Sequence, residues 1–377
     1  MSRLDELIQK LCPNGVDYVA IGDVTNYEQP SQYIVNSTDY NDDFDTPVLT
    51  AGQSFVLGYT NETEGIYDAT KEKPVIIFDD FTGAFKWVDF PFKVKSSAIK
   101  MLKANPEKTT LRYIYHVMGN IGFSSSEHKR LWISVYSSFK IPLPPLPVQS
   151  EIVRILDNFT ELTAELTAEL TARKKQYEFY RDKLLTFGDV RGGATSDVVW
   201  RMLGEVCNLQ SGKAISAYLI SDIQTAENPI PCYGANGLRG YVSTSNESGD
   251  KPIIGRQGAL CGNVCFATGS YYATEHAVVV TDKGFFNSRF LYHLLVNANL
   301  NQYKTAGAQP GLSVARLNEV KVPVPARNVQ DKIANVLDNF DAICSDLKIG
   351  LPAEIEARQK QYEFYRTCGN CSWIGCI

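Results

Sequence analysis

Several clusters in this 377-residue chain carry residue types that could do chemistry, and most fail on spacing. Gly212-Lys213 would need glycine at 207 and Ser or Thr at 214 to cradle phosphates as a P-loop, but Cys207 and Ala214 stand there. His116, His128, His276 and His293 show no ligand spacing, and there is neither a His-Glu-x-x-His helix nor a Gly-x-Ser-x-Gly elbow. Cys368-Gly369-Asn370-Cys371, with Cys376 behind it, lacks the second ligand pair of a structural zinc site and reads as a frayed tail. Asp79-Asp80 with Lys86 lacks the third acid of a nuclease centre. Asn228-Pro229-Ile230-Pro231 is not the Asn-Pro-Pro-Tyr box of an amino-methyltransferase. These failures leave binding, rather than bond-making, as the expected chemistry, with no metal and no cofactor on this chain.

Other polar groups suit a nucleic acid. His128-Lys129-Arg130 falls opposite Gln309 when the chain is aligned on itself with an offset of 181. The first group suits phosphates and guanine acceptors, and the amide suits adenine. A second pair follows two apolar strands: 79–86, ending in Lys86, after Val75-Ile76-Ile77-Phe78, and Gly255-Arg256-Gln257-Gly258 after Pro252-Ile253-Ile254. For Asp79-Asp80 a structural turn is the stronger reading, since carboxylates repel phosphate. Arg239 lies in a third, glycine-rich stretch, 233–240, where a tight turn explains the residues as well as a ligand does. Lys213, Lys304 and Lys93 complete the candidates, although any surface lysine could be named on similar grounds. The formal net charge is −5, so a nucleic-acid surface must be local, or the acidic surplus must be offset by a basic partner.

The elements that must position these groups are written twice. Ile141-Pro142-Leu143-Pro144, Val148-Gln149, Ile152 and Leu156-Asp157-Asn158-Phe159 return 181 residues later, ending in Leu337-Asp338-Asn339-Phe340. Lys175-Gln176-Tyr177-Glu178-Phe179-Tyr180-Arg181 returns letter for letter at 360–366. Between these marks the halves diverge. Apolar steps of three and four residues predict a helix over 148–186, about 58 Å long, after an approach that Pro142, Pro144, Pro145 and Pro147 keep extended. Its tandem Thr163-Ala164-Glu165-Leu166 and Thr167-Ala168-Glu169-Leu170 reads as a spacer, because four residues add about 6 Å while turning the stripe only about 40°. A second helix from Ile333 is expected to stop and restart at Gly350-Leu351-Pro352. Strands near Val75 and Val94 precede a helix over 111–118, and strands near 240–243 and 277–281 precede one over 288–299.

The opening Met1-Ser2-Arg3-Leu4-Asp5-Glu6-Leu7 with Cys12-Pro13-Asn14-Gly15-Val16, the Thr-Ala-Glu-Leu repeats, 175–185 and 350–366 resemble the specificity subunits of type I restriction-modification enzymes. The resemblance covers the chain to about residue 366 and is loose between the helical marks. From Thr367 onward it departs, because Asp182-Lys183-Leu184-Leu185 has no second copy. It implies an α/β (α+β) fold: two globular target-recognition domains joined by two long helices in an antiparallel coiled coil, an internal repeat with pseudo-twofold symmetry. The expected divisions are an N-terminal helix over 1–16, recognition domains over 17–145 and 199–325, helical spacers over 146–187 and 326–366, and a divergent tail over 367–377. The implied role is non-catalytic recognition of a bipartite, asymmetric site on double-stranded DNA. The implied partners are two methylation and two restriction subunits, which would carry S-adenosylmethionine, ATP and Mg. The residues themselves also admit a two-domain scaffold of protein-binding modules, or an orphan copy that no longer assembles. Nine scattered cysteines, no apolar run of membrane-spanning length and an amphipathic start fit a cytoplasmic protein.

Overall fold

The computed structural model describes residues 2–52, 54–123, 130–187, 198–258, 260–305 and 311–371. The chain divides into two units: Met1–Leu166 with Ile355–Ile377, and Thr167–Glu354. Each is built on an antiparallel four-stranded sheet. In the first unit the order is Thr25–Glu28, Ile99–Ala104, Val75–Asp79, Phe85–Val88. In the second it is Cys207–Ser211, Ala277–Asp282, Lys251–Gly255, Val264–Ala267. The central strand Val75–Asp79 is apolar on both faces because both are covered. Ile76 and Phe78 enter one core, Val75 and Ile77 another, as a strand's two-residue period requires. Ile254 and Ile253 divide likewise in the second unit.

A smaller sheet repeats too. Thr46–Leu49 pairs antiparallel with Val56–Thr60 and parallel with Lys93–Val94. Ile230–Gly234 pairs antiparallel with Gly237–Val242 and parallel with Ser270–Ala273. A two-stranded ribbon closes each unit, Tyr18–Ala20 with Lys140–Pro142 and Val199–Met202 with Lys321–Val324. The main helices are Leu111–Met118, capped by Thr110, and Ser288–Asn297, capped by Asn287. The latter ends before the expected Asn299, which takes a left-handed φ of 45° and cannot continue it.

The long helix runs unbroken from Leu146 to Leu185. Pro147 is therefore not part of an extended approach. It is the second residue of the helix, where no intrahelical partner awaits its missing N–H. Pro352 has the same place in the helix Leu351–Cys371. The break before it follows Arg327–Ser345, and a side chain at Gly350 would come 2.6 Å from the carbonyl oxygens of Ala342 and Asp346. The last helix extends through Cys371, beyond the point where a frayed tail was expected to begin.

Within each unit the helices pack in antiparallel pairs, and the repeated letters make the contacts. In the first, Phe159 stacks on Tyr365 with ring centres 5.3 Å apart and planes at 23°. In the second, Phe340 stacks on Tyr180 at 5.6 Å and the same angle.

Candidate nucleic-acid interface

In each unit the turn after the central strand is bonded to the first described leucine beyond the second candidate loop. Leu131 N–H donates to the Asp80 carbonyl at 2.7 Å, and Leu312 N–H donates to the Arg256 carbonyl at 2.8 Å. Asp80 N–H in turn reaches Ala98 and Arg256 N–H reaches His276, both at 2.9 Å. Phe78 lies across from Lys100 and Ile254 across from Val278, which fixes the correspondence of the two sheets. Each unit thus ties the turn after its central strand to the loop that precedes its proline segment.

In the second unit this joint gathers most of the expected groups. Gln257 bridges to Gly311. Arg256 Nη1 donates to Ser211 Oγ at 2.8 Å, beside Gly212 and the exposed Lys213. Lys304, also exposed, donates from Nζ to Asn301 Oδ1 at 2.9 Å, and Thr305 N–H reaches Gly311 at 2.9 Å. The hairpin tip closes on the same turn. Asn263 Nδ2 donates to Asn236 Oδ1 at 3.0 Å, and a side chain at Gly255 would run into the Ala235 carbonyl. Arg239 is exposed on the hairpin's second strand with its stem against Gly234. Gln309 lies outside the described residues.

In the first unit His128 and Lys129 lie outside the described residues, while Arg130 stands at their border, about half exposed. Lys86 is half-buried and lines an open hollow together with Gly52, Thr82, Gly119 and Phe123. Asp79 makes the structural turn that its type suggests, with Oδ1 accepting from the N–H groups of Phe81 and Thr82. Lys93 must be withdrawn as a phosphate contact. It is only 2% exposed and is held by Glu62 at 3.1 Å and by the carbonyls of Glu64 and Gly65. A side chain on the strand Lys93–Val94 points into the body of the unit, and its charge is satisfied there.

Where each main helix meets the long helices lies a cluster that metal-ligand spacing did not reveal. Asp157 accepts from His116 Nε2 and Arg112 Nε, both at 2.8 Å, and His116 Nδ1 meets the Tyr362 hydroxyl at 3.4 Å. In the other unit Asp338 accepts from His293 Nε2 at 2.7 Å and Arg289 Nε at 2.8 Å, and Tyr177 meets His293 Nδ1 at 3.3 Å. Arg112 lies over Trp87 and Arg289 over Phe266. Burial opposes the Asp157 and Asp338 carboxylates, but bonds from His and Arg hold both below their ordinary value. Burial drives His293 below its ordinary value and outweighs Asp338, so the ring is neutral at neutral pH. Its Nε2–H then donates to Asp338 and Nδ1 accepts from Tyr177. Gln149 and Gln330 are a further matched pair, each donating to the carbonyl five residues earlier, Pro144 and Pro325, at 2.8 Å. The signal was the repeat itself. Aspartate, tyrosine and glutamine are the repeated letters, and the histidines they serve sit at matching places on the two main helices.

The type I restriction modification DNA specificity domain matches residues 13–173 and again 195–357. The chain belongs to that family. The Escherichia coli EcoR124I/EcoR124II specificity subunit is 39% identical over an alignment of 404 residues, spanning 97% of this chain and 96% of that protein. The E. coli EcoprrI specificity subunit is 46% identical over 225 residues, spanning 56% of this chain and 55% of that one. The crystal structure of a type I system S subunit from M. genitalium shares the fold, with a TM-score of 0.68 at 16% identity over 97% of this chain and 98% of that chain. The specificity family supplies DNA sequence recognition to type I restriction-modification enzymes, and the doubled match coincides with the doubled architecture. No described helix is long and apolar enough to cross a membrane, and among the described residues no group of His, Cys, Asp and Glu could hold a metal ion.

Proposed function

We propose that this chain recognises a bipartite, asymmetric sequence on double-stranded DNA, with modules over about 17–145 and 199–325 each reading one half. It does no chemistry of its own and acts in the cytoplasm. The helical segments 146–187 and 326–366 set the unread gap and dock two methylation subunits, to which two restriction subunits are added. S-adenosylmethionine, ATP and Mg reside on those partners. One observation carries the reading: the same backbone joint recurs in both units with different polar side chains on it. The turn after the central strand begins at Asp80 in one and Arg256 in the other. A constant frame with altered donors and acceptors is what two unlike half-sequences demand.

The exposed aromatics support paired partners. In the two identical heptapeptides, Tyr177 and Tyr362 face histidines, and Tyr180 and Tyr365 stack on Phe340 and Phe159. Phe179 and Phe364 are left 60% and 59% exposed. Equal surfaces at equal positions suit two copies of one subunit. The test is methylation mapping in a host that carries this chain with its methylating partner. One gapped, asymmetric motif is the expected result. Random methylation, or a motif without a gap, would sink the proposal, and a scaffold of protein-binding modules would yield no motif at all.

A further inference from the structure

A fully buried ion pair lies directly under the Arg130 turn. Asp80 and Lys100 have side chains 1% and 0% exposed, with Asp80 Oδ2 lying 3.4 Å from Lys100 Nζ. Lys100 Nζ also donates to Gln29 Oε1 at 2.9 Å. Asp80 binds the turn twice: its carbonyl accepts from Leu131 N–H at 2.7 Å and its Oδ1 from Trp132 N–H at 2.8 Å. The Arg130 guanidinium lies 3.8 Å from Oδ2.

Burying such a pair is costly, and apolar residues of similar volume are often at least as stabilising. The other unit shows that the frame does not need it. At the position matching Lys100, across from the central strand, stands the buried Val278, and at the position matching Asp80 stands Arg256. That unit keeps the backbone half of the joint, Leu312 N–H to the Arg256 carbonyl, without the carboxylate half. The extra charge pair therefore belongs to what the first unit does rather than to how the sheet folds.

We propose that Asp80, balanced by Lys100, is a positioning residue for the first half-sequence: it fixes the turn 130–132 and so aims Arg130 at the duplex. Lys100 balances the buried carboxylate from within, and the Arg130 guanidinium approaches the same Oδ2 to 3.8 Å from the turn. This rests on the reading of the loop as a DNA contact.

The test uses the full chain assembled with its methylating partner and a pool of random duplexes, with the enriched sequences read out. The double variant Asp80→Ala with Lys100→Met removes both charges together with the carboxylate that accepts from Trp132 N–H. It is expected to lower discrimination in the first half-sequence about tenfold, while the second half is enriched as before. The unchanged second half reports that the chain is folded and assembled, and a purely structural role would not blur one half alone. Gln29→Leu, which removes only the outer bond to Lys100, is the milder variant should the double variant fail to assemble, and is expected to act on the same half. If the assembled variant keeps both halves sharp, the positioning role is overturned. Arg130→Ala separates the two ideas. If it blurs the first half and the pair variant does not, only the positioning fails; if neither does, this loop is not a DNA contact.

Discussion

His293 is held by opposing effects, and their balance has a sign that can be measured. Burial depresses its pKa from the ordinary 6.5, so between that value and the lower folded one the unfolded chain binds the extra proton. The stabilisation is therefore complete above pH 6.5 and falls as the pH drops through it. Asp338 and Asp157 are also depressed, so their contributions are lost only below about 3.8. Thermal denaturation followed from pH 8 to 5 should show a decline that His293→Gln flattens. An unchanged slope in that variant would remove the histidine from the account. Asp338→Ala is expected to lower stability by about 2 kcal/mol at pH 8, because it strands the fully buried His293 and leaves the Arg289 guanidinium only its longer pairing with Asp341. Urea denaturation measures that loss, and a change under about 0.5 kcal/mol, typical of an exposed site, would contradict it.

At the scale of elements, the proposed second half of the site rests on the joint between strand, hairpin and loop. Gly255 ends the central strand where the Ala235 carbonyl crosses it, so Gly255→Ala must push the hairpin off the Arg256 turn. A loss of about 2 kcal/mol is expected, together with weakened reading of the second half-sequence and an intact first half. Duplex selection with the assembled variant checks this, and equal loss in both halves would count against it. The helices were legible in the sequence because their period and their repetition survive divergence. Leu111–Met118 has the expected bounds, and the break at Gly350 falls where glycine and proline signal it. Pro147 was misread because proline in a first helical turn looks, without coordinates, like proline before it. Lys93 and Lys100 escaped recognition as buried residues because a lysine's exposure is set by which strand face it occupies and by a distant partner, Glu62 or Asp80, that no local pattern announces. The histidines were tested against metal spacing, whereas their partners are an aspartate 41 or 45 residues away and a tyrosine supplied by the other copy of the heptapeptide.

Across the whole molecule, the spacer makes the strongest prediction, because of where the helix Leu146–Leu185 is committed to a core and where it is not. Its buried apolar residues are Val148, Ile152 and Leu156 near one end and Leu185 at the other. Between them, across the tandem Thr-Ala-Glu-Leu units, Leu162, Leu166 and Leu170 are only half-buried and the charged groups are exposed. The boundary between the two compact units falls at Leu166 and Thr167, between the two copies. Deleting Thr163 to Leu166 therefore removes no core residue. It shortens the helix by about 6 Å and turns the C-terminal remainder of the helix by about 40°, so the stripe nearly keeps its face. If this helix sets the distance between two reading modules, the unread gap should shrink by one or two base pairs, because a base-pair rise is about 3.4 Å. Both half-sequences should stay as they were, since every residue of each loop joint is untouched. Methylation mapping with the deleted chain decides the matter: an altered half-sequence would mean that the segment helps read bases, and an unchanged gap would mean that the modules take their spacing from something other than this helix.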